Sequence, residues 1–464
     1  MSAFDVVVIG AGPAGYVCAI RAAQLGMKVA LVDKRVMDGK PALGGTCLNV
    51  GCIPSKALLE SSHKYAEAVH GLGAHGVKVG NVSLDLTAMQ ARKAGVVNQL
   101  VGGVGMLMKK NKIEVVSGEG VVEAVGKVRV GDQILETKHI VIATGSAPVE
   151  LPFAPFDHDV IIDSTDALAL DKVPDHLIVI GAGVIGLEMG SVWGRLGAKV
   201  TCVDMATRPV AIMDAALGEA AKKVFEKQGM DFVLGAGVKS ITVTGKKAKV
   251  VVDVAGTEQV IEGDKVLVSV GRRAYTAGLG LEAVGVEMDK RGVVQVDTHY
   301  ATNIKGIYAI GDAAPGPMLA HKGEDEGMAL AEILAGQSGH VNYGAIPWVV
   351  YTHPEIAGVG MTEEEARARG EVKVGKFSFI GNGRAIAVNE TEGFVKVIAD
   401  AVTDEMLGVH ILGHNASEMI AEAAVLMEFK ASAEDMARCC HAHPTMSEAV
   451  KEAALAVAGR AIHA

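Results

Sequence analysis

Two stretches of this chain repeat one pattern: a β-branched run, a glycine-rich turn, an apolar helix, a second apolar run and a closing aspartate. In the first, Phe4-Asp5-Val6-Val7-Val8-Ile9 leads into Gly10-Ala11-Gly12-Pro13-Ala14-Gly15. Tyr16 to Leu25 read as a helix ended by Gly26, and Met27 to Val32 run into Asp33. In the second, His176 to Ile180 lead into Gly181-Ala182-Gly183-Val184-Ile185-Gly186. Leu187 to Leu196 read as a helix ended by Gly197, and Ala198 to Val203 run into Asp204. The closing acid follows the first glycine by the same 23 positions in both copies. Few folds satisfy this. A strand must feed a tight turn, which Gly10 permits. The backbone must come close to a pyrophosphate, which Gly12 allows, and helix and strand must pack closely at Gly15. The helix N-terminus then offers free N–H groups and partial positive charge to the phosphates, and the aspartate offers a carboxylate to a ribose. Two such units imply two dinucleotides, or one unit that has lost its ligand.

The rest of the chain extends an α/β reading. His139 to Ser146 is a buried strand entering a loop, Lys265 to Val270 leads to Gly271-Arg272-Arg273, and Gly306 to Asp312 is a strand ending in an acidic turn. From Ile346 onward, strand-like runs (Gly393 to Ala399, Leu407 to Leu412) mix with an amphipathic helix over Ser417 to Lys430. The expected fold is α/β, with two Rossmann-like dinucleotide-binding domains and a third, C-terminal domain of α+β type. The expected boundaries are 1–148, 149–274, a central segment 275–345 and 346–464. With 464 residues, half of them apolar, each part can bury a core, and 57 glycines with 4% aromatics suit aliphatic strands joined by glycine turns.

A net charge of −10 without a long basic run excludes nucleic acid as the natural partner. No apolar run reaches the roughly 20 residues needed to span a bilayer, so no membrane association is expected. No secretory signal is read at the start. The expected location is a bacterial cytoplasm, with the mitochondrial matrix as the alternative.

Six cysteines are too few for a disulfide framework in a chain of this length. Two of them, Cys47 and Cys52, lie within Gly44-Gly45-Thr46-Cys47-Leu48-Asn49-Val50-Gly51-Cys52-Ile53-Pro54-Ser55-Lys56. Residues five apart on a regular helix face different ways, so a disulfide between them requires an irregular helix, which Gly51 and Pro54 favour. Lys56 or a helix start would lower a thiol pKa. Zinc binding and two inert cysteines are the competing readings; a second ligand pair for zinc is missing. No metal ligands are assigned.

Near the C-terminus, Cys439-Cys440-His441-Ala442-His443-Pro444-Thr445-Met446-Ser447-Glu448 offers two histidines and a carboxylate. Thiol chemistry needs a proton acceptor near neutral pH, and a carboxylate can orient an imidazole for that task. Spacing does not choose between His441 and His443. Asp204 favours NAD over NADP, because a carboxylate repels a 2′-phosphate, although Arg208 lies close by.

Taken in order, the first glycine motif, the Cys47–Cys52 segment, Ala143-Thr144-Gly145-Ser146, Gly181 to Glu188, Ile307 to Asp312 and His441 to Glu448 span essentially the whole chain. Together they resemble the pyridine nucleotide–disulfide oxidoreductases, and within them the members that act on lipoyl groups. The resemblance implies FAD held by Gly10, Gly12, Gly15 and Asp33, with Thr46, Lys56, Gly120, Thr144, Gly145 and Ser146 lining the rest. Asp312 and the run Met318, Leu319, Ala320, His321 would lie along the flavin and its ribitol. NAD would bind through Gly181, Gly183, Val184, Ile185, Gly186, Glu188 and Asp204, with Val238 and Gly271 nearby. Lys56 and Glu188 would pair beside the flavin. Cys47 would be the interchange thiol and Cys52 would face the flavin. His443, oriented by Glu448, would be the acid/base, supplied by the partner subunit of a homodimer. The implied activity is oxidation of protein-bound dihydrolipoyl groups with reduction of NAD+. The implied partner is a lipoylated acyltransferase of a 2-oxo acid dehydrogenase complex, or the glycine cleavage carrier. Asp33 and Asp204 depart from the glutamate common in this family. Cys439 and Cys440 are read as a partly buried surface pair.

Overall fold

The computed structural model describes residues 3–37 and 39–463. The chain resolves into two compact units, each assembled from separated stretches.

One unit takes in the chain up to Ala57 together with Thr87–Val149 and Gly271–Val341. Its centre is a parallel sheet in the order Glu114–Ser117, Val29–Asp33, Ala3–Ile9, Gln133–Ile142, with Ile307–Ala309 paired beyond. An antiparallel hairpin of Gly120–Ala124 and Lys127–Val130 extends the sheet against the start of the long strand. Val6, Val7 and Val8 are fully buried on both faces. That explains an uninterrupted apolar run where a half-exposed strand would alternate. Each such side chain contributes roughly 1.5–3 kcal/mol of burial.

On one face, helix Pro13–Gln24 packs against helix Ala320–Leu334. Two glycines make the approach possible. A side chain at Gly323 would meet the Ala14 Cβ at 3.1 Å, and one at Gly327 would meet the Ala14 carbonyl at 2.6 Å. The later helix also carries a buried ion pair. Lys322 Nζ lies 3.0 Å from Glu326 Oε1, both side chains almost fully enclosed. Lys322 donates to the Gly311 carbonyl at 2.9 Å and Glu326 accepts the Gly311 N–H at 2.7 Å. The pair therefore satisfies both backbone groups of the residue preceding Asp312.

The second unit comprises Leu58–Leu86, Glu150–Val270 and Asn342–Ala464. It repeats the nucleotide-binding topology in a five-stranded parallel sheet. The order is Ile161–Ile162, Lys265–Val268, His176–Ile180, Lys199–Asp204, Met230–Leu234. A three-stranded antiparallel sheet of Ala236–Thr244, Lys247–Val254 and Thr257–Gly263 follows. The C-terminal part is a five-stranded antiparallel sheet. Its order is Trp348–Val350, Glu355–Gly360, Met406–Gly413, Phe394–Asp400, Val372–Ser378, covered by helices Ala416–Glu428 and Glu448–Val457.

Within this unit Asp214 caps helix Ala215–Lys227 and also holds Lys396 of the C-terminal sheet, Nζ to its two oxygens at 2.8 and 2.9 Å. Glu363 completes the contact at 2.6 Å from the same ammonium. Burial raises the Asp214 carboxyl, yet the Lys396 and Glu363 N–H hydrogen bonds outweigh it and leave the pKa lowered. Among the described residues, no helix is long and apolar enough to cross a membrane.

Candidate active site

The glycine turns behave as their spacing predicts. Gly10 and Gly181 adopt positive φ, +107° and +105°, a region closed to most L side chains. A Cβ on Gly10 would run into the Ala143 backbone, and one on Gly181 into the Ser269 backbone. The second glycine of each turn is open instead. Gly183 has no neighbour within 4 Å of a built Cβ, and Gly12 only Gly45 at 3.9 Å. Helices Pro13–Gln24 and Val184–Arg195 begin immediately behind these glycines without any side-chain cap. Unfilled space before an uncapped helix start is the cradle a pyrophosphate needs. Both turns thus fit a dinucleotide. Val184, Ile185 and Gly186 form the first turn of the second helix.

The two closing aspartates do the same job twice. Asp33 accepts the Ala11 N–H at 2.6 Å and the Arg35 N–H at 2.8 Å. Asp204 accepts the Ala182 N–H at 2.7 Å and the Ala206 N–H at 2.8 Å. The shorter aspartate therefore clamps the middle of its own glycine turn, and each oxygen keeps a further lone pair for a ribose hydroxyl.

In the first unit, Cys47 and Cys52 form a disulfide with Cα atoms 4.6 Å apart. The required irregularity is present. Helix Gly45–Val50 stops at Gly51 (φ −143°, ψ −114°), and a new helix, Cys52–Ala66, starts beyond it. A Cβ on Gly51 would press on the Thr46 carbonyl at 2.9 Å. Asn49 pins the bend by donating from Nδ2 to the Gly45 and Leu43 carbonyls at 2.8 and 3.1 Å. Thr46 shares the first short helix, and Lys56 lies one turn into the second.

Also in this unit, Ser146 donates to Asp312 Oδ2, and Arg272 Nε donates to the same serine oxygen at 2.7 Å. Thr144 Oγ1 donates to the Tyr275 carbonyl at 2.6 Å, and the Gly145 carbonyl accepts the Tyr275 N–H at 2.9 Å. The structure thus joins the Thr144–Ser146 loop to the Asp312 turn. Met318 and Leu319 precede helix Ala320–Leu334, whose start, with Ala320 and His321, is again uncapped by a side chain. Gly120 is a packing position, since a Cβ there would crowd Ile9 and Val32 at 3.0 and 3.1 Å. Gly271, at φ +122°, has open space around it.

In the second unit, Glu188 is buried and accepts the Tyr351 N–H at 3.0 Å. Val238 sits at an irregularity in its strand's register. The two histidines now separate. His443 Nδ1 lies 2.8 Å from Glu448 Oε1, and the imidazole is 78% exposed. Glu448 Oε2 also accepts the Thr445 N–H at 2.8 Å. Burial raises the Glu448 carboxyl, but these two hydrogen bonds outweigh it and leave the pKa lowered. An ionised carboxylate only accepts, so Nδ1 carries the proton of the neutral imidazole, and in that form Nε2 presents the lone pair to solvent. His441 is instead largely enclosed, 3.2 Å from Glu422, and the hydrogen bond to that carboxylate raises its pKa. Cys439 and Cys440 are free thiols and exposed, where a partly buried pair was expected. Cys18 and Cys202 are enclosed, and burial pushes the Cys18 thiol up to about 12.

Sequence reasoning passed over Lys322 and Glu326, which position the Gly311–Asp312 turn. Opposite charges four apart on a helix ordinarily signal a solvated pair, and the flanking Gly323 and Gly327 were the available hint that this face is enclosed.

Residues 4–327 match the pyridine nucleotide-disulphide oxidoreductase family, and residues 346–454 match its dimerisation domain. The mitochondrial dihydrolipoyl dehydrogenase of Pisum sativum is 51% identical, over 99% of this chain and 92% of its own length. The dihydrolipoyl dehydrogenase of Cupriavidus necator is 50% identical over 99% of both. The HOCl-induced flavoprotein disulfide reductase RclA from Escherichia coli superposes with a TM-score of 0.85 at 28% identity, covering 97% of this chain and 99% of the other. With a disulfide between two nearby cysteines, two dinucleotide cradles and a family match across most of its length, the chain belongs to the pyridine nucleotide-disulphide oxidoreductases.

Proposed function

We propose that this protein is a dihydrolipoyl dehydrogenase, working as a homodimer on lipoyl groups carried by an acyltransferase subunit or the glycine cleavage carrier. The observation that carries the reading is the Cys47–Cys52 disulfide at the broken helix, in a chain half identical to named dihydrolipoyl dehydrogenases. Residues 1–148 and 275–345 would hold FAD, 149–274 NAD, and 346–464 the subunit interface. The relatives include plant mitochondrial and bacterial proteins; a bacterial cytoplasm is the proposed location.

Protein side chains supply the sulfur and proton chemistry, with Cys47 and Cys52 from one subunit and His443 and Glu448 from the other copy in the homodimer. His443 Nε2 takes the proton of a dihydrolipoyl thiol. The resulting thiolate attacks Cys47 Sγ, a mixed disulfide forms, and Cys52 leaves as a thiolate. The second substrate thiol, its proton passing to the departing Cys47 Sγ, attacks the substrate sulfur of that mixed disulfide, which closes the lipoyl ring and frees Cys47 as a thiol. Glu448 keeps His443 in the tautomer that accepts at Nε2 and stabilises its charged form. Lys56 and Glu188 are proposed as the charged pair flanking the flavin. Bound FAD would accept the electron pair from the dithiol, and bound NAD+ would receive it as hydride. Gly10, Gly12, Gly15, Asp33, Thr46, Gly120, Thr144–Ser146, Asp312 and the Met318–His321 run would hold the first. Gly181–Gly186, Asp204, Val238 and Gly271 would hold the second.

The direct test is steady-state NADH formation from dihydrolipoamide, with NADP+ in parallel. Rapid turnover restricted to NAD+ is expected; flavin-loaded protein that fails to turn over would move the substrate to another disulfide. Glu448→Gln is expected to lower kcat by about 100-fold with flavin content unchanged, the lower end of what positioned acid–base catalysis supplies. Equal kcat in both proteins would remove Glu448 from the mechanism. Gly183→Val gives a second check. Its φ of −84° suits any residue, and no protein atom crowds the site, so folding should be unaffected. The valine would occupy the path of the nucleotide's pyrophosphate. The KM for NAD+ is expected to rise at least about tenfold, or ~1.4 kcal/mol, measured with saturating dihydrolipoamide. An unchanged KM would place the nucleotide elsewhere.

A further inference from the structure

Three segments of the C-terminal sheet deliver nitrogen and oxygen donors to one point, from residues given no role above. Glu355 pairs with Gly413, and Leu412 with Phe394, so the neighbouring strands Glu355–Gly360, Met406–Gly413 and Phe394–Asp400 have these ends level. His353 enters the first strand, His414 leaves the second, and Glu390 precedes the third. One ligand atom from each of His353, Glu390 and His414 lies within 4.8 Å of the others, and all three residues are half-buried. His353 Nε2 is 3.0 Å from Glu390 Oε1.

The imidazoles of His353 and His414 have centroids 5.9 Å apart, and that of His63 lies 4.0 Å from His353. Gln228 Nε2 donates to the His353 carbonyl at 2.7 Å and anchors that backbone. We propose that His353, Glu390 and His414 form a binding site for one divalent transition-metal ion of the class that prefers imidazole, with zinc as the reference ion. Two imidazoles and a carboxylate are a recurrent zinc donor set that leaves a position open. Zinc bonds of 2.0–2.2 Å place ligand atoms about 3.4 Å apart, so side-chain rotations of ~1 Å close the site. The metal would tie three strand ends together at one end of the sheet.

The test is calorimetric titration of the oxidised, flavin-loaded dimer with Zn2+. Cys47 and Cys52 then stay paired, and a Cys439→Ser/Cys440→Ser background removes the exposed thiols. One zinc per chain is expected. His414→Ala and Glu390→Gln, each in that background, should weaken binding by more than the ~10–100-fold that loss of an outer-shell partner costs. Dihydrolipoamide turnover in the absence of metal should be unaffected in both variants, which shows that they fold. Co2+ added to the parent should give a visible ligand-field band that both variants lack. Zinc binding of unchanged stoichiometry and affinity in either variant, or no binding by the parent, overturns the site.

Discussion

Replacing Cys47 with serine is expected to lower dihydrolipoamide-dependent NADH formation by more than about 10⁴-fold, in the range seen when a catalytic nucleophile is lost. The protein should stay folded and keep its flavin. Serine cannot form the mixed disulfide, so the route from substrate thiol to Cys52 is cut at its first bond. The local fold does not depend on that bond. Asn49 holds the Ala42, Leu43 and Gly45 carbonyls, and Ser55 caps back through its N–H to Gly51 and its hydroxyl to Cys52. The break at Gly51 therefore survives reduction, which a pair that cycles between thiol and disulfide requires. Steady-state kinetics on purified Cys47→Ser with a flavin absorbance check reads the result. Turnover within tenfold of the parent would mean that electrons bypass this pair.

The second large effect concerns the ion pair behind the Asp312 turn. Glu326→Ala is expected to destabilise the protein by about 3–5 kcal/mol, the cost of leaving a buried charge without its partner. It should also weaken flavin retention. Lys322 is fully enclosed and would be left beside a vacated site without its partner carboxylate. The Gly311 N–H would lose its acceptor as well, which alone costs about 1–3 kcal/mol. Gly311 immediately precedes Asp312, whose carboxylate meets Ser146, so loosening it loosens the loop joined to that turn. Glu326→Gln keeps an acceptor for Gly311 and should lose less. Urea denaturation followed by flavin fluorescence gives the midpoints. Equal midpoints for Glu326→Ala and the parent would show that the turn is held by other contacts.

These cases mark what a linear reading of the chain reaches. The two nucleotide-binding units were legible because their constraints are local. Gly10 and Gly181 need positive φ, and the runs that lead into them, Val6 to Ile9 and Leu177 to Ile180, are apolar and buried on every residue. The disulfide was legible as a requirement for a broken helix, and Gly51 supplies the break. Helix Leu86–Lys110 was not singled out. Gly102, Gly103 and Gly105 weaken its helical preference, and it is held by one buried stripe through Met89, Val97, Val101, Val104 and Met108. The choice between His441 and His443 was also closed to spacing, because it turns on tertiary partners. Glu422 comes from helix Ala416–Glu428 to take His441, while Glu448, five residues on, takes His443. Lys322 and Glu326 escaped for the same reason: burial of an i,i+4 pair is decided by what packs over it, here helix Pro13–Gln24.

The central claim is that Cys47 and Cys52 take up the two electrons of the substrate dithiol. The most direct measurement is a two-stage thiol count by mass spectrometry. The exposed Cys439 and Cys440 are first blocked with one alkylating label. One equivalent of dihydrolipoamide is then added without NAD+, and a second label follows. The second label is expected on Cys47 and Cys52, and on neither of them when dihydrolipoamide is omitted. Both cysteines unlabelled after reduction, with lipoamide formed in stoichiometric amount, would contradict the account.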